Sequence, residues 1–382
     1  MKRRAFLSAA TAAAVVAFPL RSRASGETTE PMNGEAMPTE SSSKATATRI
    51  PRIGQRGTMR GEMLYRELGS TGEQVSVIGL GGSHLGMAQV SEDEAVRLIH
   101  EGIDRGINFL DNSWDYNEGR SEARVGKALS QEGYRNKAFV MTKIDGRTKE
   151  TATNQINDSL KRLKVEHIDL LQHHEVIRYD DPDRIFSEGG SMEAVLAAKE
   201  AGKIRFIGFT GHKDPRIHLY MLEVAHRHSF HFDTVQMPIN VMDAHFRSFS
   251  QLVVPEALRQ NVAVLGMKCF GSGVLFKSNV LKDGGITPVE CLHYSLNLPI
   301  SVQITGINSK MLLDQAFDAV RSFQPMDEAA VAALIAKSEP AALNGEYELF
   351  KTTSHFDTTA RHPDWLGSDS EAVQSLAPQL PG

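Results

Sequence analysis

Four side chains that can handle a proton or a charge follow three consecutive apolar runs of the sequence. Asp111 ends the run FLD, and Tyr116 comes five residues later. Lys143 ends FVMTK, and His174 ends IDLLQHH. If the three runs are neighbouring strands of a parallel barrel, their carboxyl ends meet at one mouth and these side chains converge there. Because successive strand residues face opposite sides, only one of His173 and His174 can face that mouth.

An acid, a phenol, an ammonium and an imidazole at one mouth are suited to the reduction of a carbonyl group. Hydride delivery to the carbonyl carbon builds negative charge on the oxygen, so a proton donor must lie beside it. A free tyrosine has a pKa of about 10, and we expect the Lys143 ammonium to lower it. Asp111 would hold that ammonium in place, and a neutral histidine would orient the carbonyl oxygen by a hydrogen bond.

Each of these residues also has a purely structural interpretation. Asp111 could cap the next segment, Lys143 could be solvated at a strand end, and Tyr116 could anchor a loop. Either histidine could be a hydrogen-bonded core residue. Four complementary groups on three consecutive strand ends together favour the catalytic interpretation.

The rest of the chain supplies the elements that such a site needs. From Tyr65 onward, apolar runs alternate with amphipathic segments, and the predicted strands are 75–80, 108–113, 138–144, 168–174, 205–210, 234–239, 262–268 and 301–306. Apolar strands that alternate with helices predict a parallel sheet covered by helices. Eight such units predict a (β/α)8 TIM barrel with a C-terminal extension. An open doubly wound sheet is the alternative, although no G-x-G-x-x-G follows the first strand.

The N-terminal segment predicts export. MKRRAFLSAATAAAVVAFPL has a basic start and an apolar run, and a small-x-small pattern follows at Ser22-Arg23-Ala24, which indicates a signal peptide over 1–24. Arg3-Arg4 before Phe6-Leu7 resembles a twin-arginine signal, which is read by the twin-arginine export machinery. We therefore expect a periplasmic or otherwise exported protein. An ordinary secretory signal, or a retained signal that anchors the chain to a membrane, is the alternative.

Composition defines the remaining regions and excludes some partners. Residues 25–60 are polar and predict a disordered spacer, 61–323 hold the barrel, and 324–382 form a helical and irregular extension. The aromatic residues of that extension either cover the mouth or pack on the outer helices. A net charge of −5 gives no case for nucleic-acid binding. Once the signal is removed, we expect no stable membrane span.

Six ordered motifs run through the middle of the chain, and together they are specific. They are YRELGSTGEQVSVIGLGG, GINFLDNSWDYNEGRSEARVGKAL, VMTK, IDLLQHH, GKIRFIGFTGH and TVQMPIN. From Tyr65 to Phe323 the chain resembles the aldo-keto reductase family. The resemblance implies hydride transfer between NADP(H) and an aldehyde, ketone or keto-sugar, or the matching alcohol. It implies that Tyr116 is the general acid and base, and that the other catalytic residues are Asp111, Lys143 and His174.

The resemblance also implies a set of cofactor contacts. Thr210 and Gln236 match the positions that hold the nicotinamide carboxamide, and Met267 stands where the family has a stacking tyrosine. Small residues and a helix start, which let the backbone approach phosphate groups, are expected at Gly271, Gly273, Gly306, Ser309 and Lys310.

Several positions depart from the family's cofactor pattern. Gly211 replaces an asparagine that contacts the carboxamide, unless His212 takes its place. Leu312 and Ala316 replace polar residues that contact the adenosine part of the cofactor. Because Lys310 could still bind a 2′-phosphate, NADP(H) is the expected cofactor and NAD(H) the alternative.

Two other functions compete with this one. A barrel hydrolase or isomerase could use His173 or His174 with carboxylates around a metal. Two further sets of possible ligands are His226, His228 and His231, and His355, Asp357 and His362, and we predict no metal at either. A non-catalytic nicotinamide-binding or redox-sensing subunit of a larger assembly is the second alternative. Since an exported enzyme has no obvious cofactor pool, we expect the cofactor to bind before export and to stay bound.

Overall fold

The computed structural model describes residues 57–277 and 283–367. The predicted signal peptide and most of the predicted spacer lie outside the described residues. The last residues of the predicted spacer, Thr58–Arg60, form a strand, β1, because they pair with Met63–Tyr65 of the next strand. The spacer prediction was therefore wrong for these residues.

A small antiparallel sheet precedes the barrel. Its strands β1 (Thr58–Arg60), β2 (Met63–Glu67) and β3 (Gln74–Ser76) pair in that order. Leu68 and Val75 share one buried cluster with Phe109 and Phe139, which begin two barrel strands. The small sheet therefore closes the end of the barrel at which the strands begin.

Eight parallel strands form a closed barrel, which confirms the (β/α)8 TIM barrel and excludes an open doubly wound sheet. Each strand overlaps one of the predicted runs. The strands are β4 (Ile78–Gly81), β5 (Phe109–Asp111), β6 (Phe139–Ile144), β7 (Ile168–His173), β8 (Ile204–Thr210), β9 (Thr234–Pro238), β10 (Ala263–Met267) and β11 (Val302–Thr305).

Helices cover the barrel. Ser91 caps the helix Glu92–Asp104 by accepting a hydrogen bond from the Glu94 amide. Among the described residues, no helix is long and apolar enough to cross a membrane. The helices are α1 (Gly82–Leu85), α2 (Glu92–Asp104), α3 (Arg120–Leu129), α4 (Tyr134–Lys137), α5 (Lys149–Leu163), α6 (Asp181–Phe186), α7 (Ser191–Glu200), α8 (Pro215–Arg227), α9 (Phe249–Arg259), α10 (Val274–Lys277), α11 (Pro288–Asn297) and α12 (Lys310–Ser322).

The C-terminal extension crosses the end of the barrel at which the strands finish. It contains α13 (Glu328–Ala342), α14 (Leu349–Thr352), α15 (Thr358–Arg361) and a 3₁₀ turn (Pro363–Leu366). We call residues 343–367 the tail. The tail is hydrogen-bonded to residues that follow strands β6 to β9, namely Arg147, Glu175, Lys213 and Asn240. The extension therefore lies at the mouth of the barrel, which was one of the two placements considered from the sequence; the other was packing on the outer helices.

Candidate active site

The ends of β5 and β6 bring the predicted acid, phenol and ammonium together. Lys143 forms an ion pair with Asp111, and its Nζ donates a hydrogen bond to the backbone oxygen of Asn112 at 2.6 Å. The same Nζ lies 3.3 Å from the hydroxyl oxygen of Tyr116. Lys143 and Asp111 are 1% and 3% exposed. The ammonium is therefore held in a buried position, within hydrogen-bond reach of the phenol.

A sharp turn places Tyr116 at this position. Asn117, Glu118 and Gly119 have φ values of 53°, 60° and 81°, so three left-handed residues turn the chain into α3. Glycine suits position 119 because of its left-handed φ, and an added Cβ would lie 2.5 Å from the guanidinium carbon of Arg162. Arg162 also donates a hydrogen bond to the Trp114 backbone oxygen, which fixes the loop that carries the phenol.

The environment of Tyr116 keeps its phenol protonated. Burial raises the pKa of Tyr116 well above its usual value, and the carboxylates of Asp111 and Asp115 raise it further. The expectation of a lowered tyrosine pKa was wrong, because burial and several nearby carboxylates shift this pKa upward. At neutral pH the phenol therefore carries the proton that it would donate in a reduction.

The structure places His174 at the mouth and turns His173 away from it. The His174 ring lies edge-on to Tyr116, with 5.7 Å between the ring centroids. His173 Nδ1 lies 3.4 Å from Ser191 Oγ at the start of α7, in the layer of outer helices. Burial lowers the pKa of His174, so its imidazole is neutral at neutral pH.

Two carboxylates that the sequence motifs did not indicate flank His174. Its Nδ1 lies 2.9 Å from Asp145 Oδ1 and 3.4 Å from Asp115 Oδ1. Burial raises the pKa of Asp145 to about 8, and Glu175 adds to the effect. Burial, with Asp145 as the next cause, raises the pKa of Asp115 to about 7. The available sequence signal for Asp145 was its spacing of two from Lys143, which puts both on one side of an extended chain.

These three side chains also form the one compact group of possible metal ligands among the described residues, with ligand atoms within 4.8 Å of one another. The 2.9 Å separation of His174 Nδ1 and Asp145 Oδ1 is that of an ordinary hydrogen bond, so a shared proton accounts for it. The two sets considered from the sequence do not form such a group in the described part of the chain; they are His226, His228 and His231, and His355, Asp357 and His362.

Thr210 and Gln236 lie side by side with unused polar atoms. They are register partners, with Thr210 at the end of β8 and Gln236 in the middle of β9. Gln236 Nε2 donates a hydrogen bond to Asp111 Oδ2 at 3.1 Å. Within the described residues, Gln236 Oε1 and Thr210 Oγ1 are buried without a hydrogen-bond partner. A carboxamide offers both an N–H donor and a carbonyl acceptor, so it matches this pair.

The tail occupies His212, the proposed substitute for the missing asparagine. His212 Nε2 lies 3.1 Å from Asp357 Oδ1, so the tail already engages this ring nitrogen. The neighbouring Gly211 has no room for a side chain, because an added Cβ would lie 2.3 Å from the backbone oxygen of Val176. Local packing therefore explains this departure from the family pattern.

Lys268, which no sequence motif indicated, lies beyond the end of β10. It follows Met267 directly and adopts a left-handed φ of 58°. Its Nζ lies 5.6 and 5.4 Å from the ring centroids of Phe350 and Phe356 in the tail. Burial lowers the pKa of Lys268 to about 8. The tail thus shapes the surroundings of the half-buried Met267, the predicted stacking residue.

The predicted phosphate-binding glycines lie in two separate turns. Gly271 and Gly273 have φ values of 56° and 83°, a conformation that glycine adopts without strain. At Gly306, which follows β11, an added Cβ would lie 2.4 Å from the His84 ring. Glycine at 306 is therefore required by the contact with His84 in the structure as it stands.

Ser309 and Lys310 are engaged by the protein itself. Ser309 caps α12 by accepting a hydrogen bond from the Leu312 amide. The exposed Lys310 forms ion pairs with Glu101 and Asp314, at 2.6 and 3.1 Å. A 2′-phosphate would have to compete with these two carboxylates for the Lys310 ammonium.

A closed barrel with a lysine, a carboxylate, a tyrosine and a histidine at its mouth defines the class of protein. Residues 77–327 match the family model described as "Aldo/keto reductase family", and the chain belongs to this family. L-galactose dehydrogenase of Arabidopsis thaliana is 37% identical over 155 residues, covering 38% of this chain and 48% of that protein. The aldo-keto reductase YhdN of Bacillus subtilis (strain 168) is 29% identical over 224 residues, covering 55% and 63%. The chain thus spans 48% and 63% of the lengths of these two relatives.

A solved structure supports the same architecture. The holo form of the aldo-keto reductase AKR11C1 from Bacillus halodurans superposes with a TM-score of 0.61 at 23% identity. The likeness covers 75% of this chain and 99% of that one. At this identity the likeness shows the fold alone.

Proposed function

We propose that this protein is an oxidoreductase that transfers a hydride between NADP(H) and a carbonyl or alcohol group. One observation carries the proposal. The Lys143 ammonium lies buried between the Asp111 carboxylate and the Tyr116 hydroxyl, 3.3 Å from the latter. Together with His174, these side chains supply a proton donor, a charge that stabilises it and a hydrogen-bonding imidazole.

The polar atoms left over at the mouth fit a nicotinamide cofactor. Gln236 Oε1 would accept from the carboxamide N–H, and the Thr210 hydroxyl would donate to the carboxamide oxygen. When bound, the nicotinamide supplies or accepts the hydride. The proposal of NADP(H) over NAD(H) rests on Lys310 alone.

The residues of the chain would handle the proton. Tyr116 donates its proton to the carbonyl oxygen as negative charge builds there, and Lys143 stabilises the phenolate that remains. Asp111 keeps the ammonium next to the phenol. His174 donates a hydrogen bond to the same oxygen and so orients the carbonyl carbon. For alcohol oxidation the phenolate takes up the proton instead.

The substrate proposal is an aldehyde, a ketone or a keto-sugar, or the alcohol that corresponds to it. One relative is named for action on L-galactose, so polyhydroxylated aldehydes and sugars should be tested first. We further propose a twin-arginine signal at 1–24, export to the periplasm and a cofactor that stays bound. With association at about 10⁶ M⁻¹s⁻¹, retention over hours needs a dissociation constant of about 10⁻¹⁰ M or lower.

The test is single-turnover oxidation of bound NADPH by a panel of aldehydes, ketones and keto-sugars. The matched control is Tyr116→Phe, which removes only the hydroxyl. We expect this variant to bind NADPH as the unaltered protein does, and to oxidise it about 10²–10⁴-fold more slowly. If the variant matches the unaltered protein in rate, Tyr116 is not the acid. If no carbonyl is reduced while NADPH binds tightly and a partner protein co-purifies, the non-catalytic alternative is favoured.

A further inference from the structure

All the polar side-chain contacts of the His174 ring in the described part of the chain are made by one ring nitrogen. Nδ1 lies 2.9 Å from Asp145 Oδ1, 3.2 Å from Ser113 Oγ and 3.4 Å from Asp115 Oδ1. No hydrogen bond among the described residues involves Nε2. Nε2 is therefore the nitrogen left to meet a substrate oxygen beside Tyr116.

The protonation of the partner at Nδ1 decides what Nε2 can do. A neutral imidazole holds one hydrogen, and an ionised carboxylate at Asp145 would place it on Nδ1. Nε2 would then be an acceptor and could not donate to a carbonyl oxygen. If the Asp145–His174 pair holds one more proton, Nε2 keeps its hydrogen, whether the extra proton lies on the carboxyl or on Nδ1.

We propose that Asp145 is a positioning residue that holds a proton against Nδ1 of His174 and so makes Nε2 the hydrogen-bond donor to the substrate oxygen. This inference rests on the proposed carbonyl chemistry. It adds a residue that acts through His174 and does not itself touch the substrate.

Distance and burial select Asp145 over the other neighbours of Nδ1. Asp145 is 0% exposed and makes the shortest contact, while Asp115 lies farther away. The second carboxylate oxygen of Asp145, Oδ2, is buried without a hydrogen-bond partner among the described residues. A buried ionised carboxylate with an unpaired oxygen is costly, and protonation removes most of that cost. Ser113 can donate or accept, so it imposes no tautomer on the ring.

The nearest guanidinium does not neutralise the Asp145 carboxylate. Arg147 directs Nε to Asp181 at 2.9 Å, and its Nη1 to the backbone oxygen of Asp145 at 2.7 Å. Its Nη2 donates to the backbone oxygen of His174 at 2.7 Å. The hydrogen bonds of Arg147 therefore go to Asp181 and to backbone oxygens, and none goes to the Asp145 carboxylate.

Charged groups on and after strands β5, β6 and β7 surround the Asp145–His174 pair. Burial alone would raise the pKa of Glu175, but His174, His212 and hydrogen bonds from Thr359 hold it at about 2, so its charge is fixed. This charge raises the pKa of Asp145, whereas three cations oppose it. The ionisable groups that face the pair are Asp111 at the end of β5, Asp115 and Tyr116 after β5, Lys143 on β6, Arg147 after β6, and Glu175 and Arg178 after β7.

The proton held by the Asp145–His174 pair determines how the rate of reduction changes with pH. Below the raised pKa of Asp145, about 8, the pair keeps its extra proton and Nε2 donates. Above it, the pair loses that proton and Nε2 turns into an acceptor. Reduction should therefore slow as the pH rises through this value, by about tenfold per pH unit.

The experiment combines imidazole ¹⁵N shifts with pH profiles of kcat and KM, using the full chain. The His174 signal is assigned by its loss in His174→Gln. In the unaltered protein, the hydrogen should move from Nε2 to Nδ1 as kcat for reduction falls. In Asp145→Asn, the neutral amide fixes one tautomer at all pH values. The alkaline fall should then vanish, and kcat should follow the fraction of Nε2–H.

The matched control is Asp115→Asn, which also removes one buried carboxylate but should keep the alkaline fall. Lys268 titrates in the same range, and the ¹⁵N signal distinguishes His174 from it. The proposal is overturned if the fall persists in Asp145→Asn, if it vanishes only in Asp115→Asn, or if one bound metal ion per chain accounts for the Nδ1 shift. If the unaltered protein reduces no carbonyl, the proposed function fails, and the ¹⁵N titration still decides the tautomer.

Discussion

Two sets of side chains at the barrel mouth differ in how completely their polar groups are paired: Lys143 with Asp111 and Tyr116, which we call the paired side, and Thr210 with Gln236, which we call the unpaired side. At the ends of β5 and β6, Lys143 already has Asp111, a backbone oxygen and the Tyr116 hydroxyl around it. On β8 and β9, the Thr210 hydroxyl and the Gln236 amide oxygen are buried without a partner among the described residues. The difference separates groups arranged in advance for chemistry from groups that a ligand must satisfy. The first kind stabilises the fold, and the second costs stability until the ligand binds.

The largest effect is expected when the buried ion pair of Lys143 and Asp111 is removed. Lys143→Met should lower kcat about 10²–10⁴-fold, because nothing would stabilise the phenolate of Tyr116. It should also destabilise the fold by about 3–5 kcal/mol, because Asp111 would be left as an unpaired buried charge. Enzyme assays and urea unfolding measure the two effects.

The double variant Asp111→Asn with Lys143→Met serves as its control. Removal of both charges should restore most of the free energy of unfolding while activity stays low. If the single variant is as stable as the unaltered protein, the buried pair is not the structural unit described above.

A smaller effect is expected on the unpaired side, where one substitution should raise the stability of the ligand-free protein and weaken cofactor binding. Thr210→Val keeps the shape of the side chain and removes a buried hydroxyl that has no partner among the described residues. The ligand-free protein should be more stable by about 1 kcal/mol, while the dissociation constant for NADPH should rise about 3–10-fold. Thermal unfolding and calorimetric titration test this. An unchanged dissociation constant would mean that the hydroxyl does not contact the cofactor.

The smallest effect is expected at Lys310, which already has carboxylate partners. Lys310→Met removes a charge that Glu101 and Asp314 hold in the ligand-free protein. Because a surface ion pair is worth about 0–1 kcal/mol, NADPH affinity should fall about fivefold at most, and NADH affinity should not change. Equal losses for both nucleotides would argue against 2′-phosphate recognition by this residue.

Local patterns were sufficient to predict the barrel and the members of the paired side. The strand runs and the alternation of His173 and His174 depend only on neighbouring residues. Because the strand ends of a barrel converge by geometry, the sequence alone predicts that Asp111 and Lys143 lie close together.

The remaining features depend on contacts between distant residues and on burial. Asp357 reaches His212 across 145 residues, and nothing near either position indicates the pair. The raised pKa of Tyr116 arises from the sum of burial and several carboxylates, which one nearby lysine in the sequence does not reveal. Asp145 resembles any acid at a strand end until the structure shows it against the His174 ring.

The position of the tail has a consequence for biosynthesis. The eight barrel strands precede it in the chain, so they leave the ribosome before the residues that contact the mouth. The amides of Thr358 and Thr359 donate hydrogen bonds to Glu175 at 2.9 and 2.8 Å, and these contacts become possible only after all eight barrel strands have been synthesised. A nascent barrel therefore passes through a stage in which the tail does not yet contact its mouth.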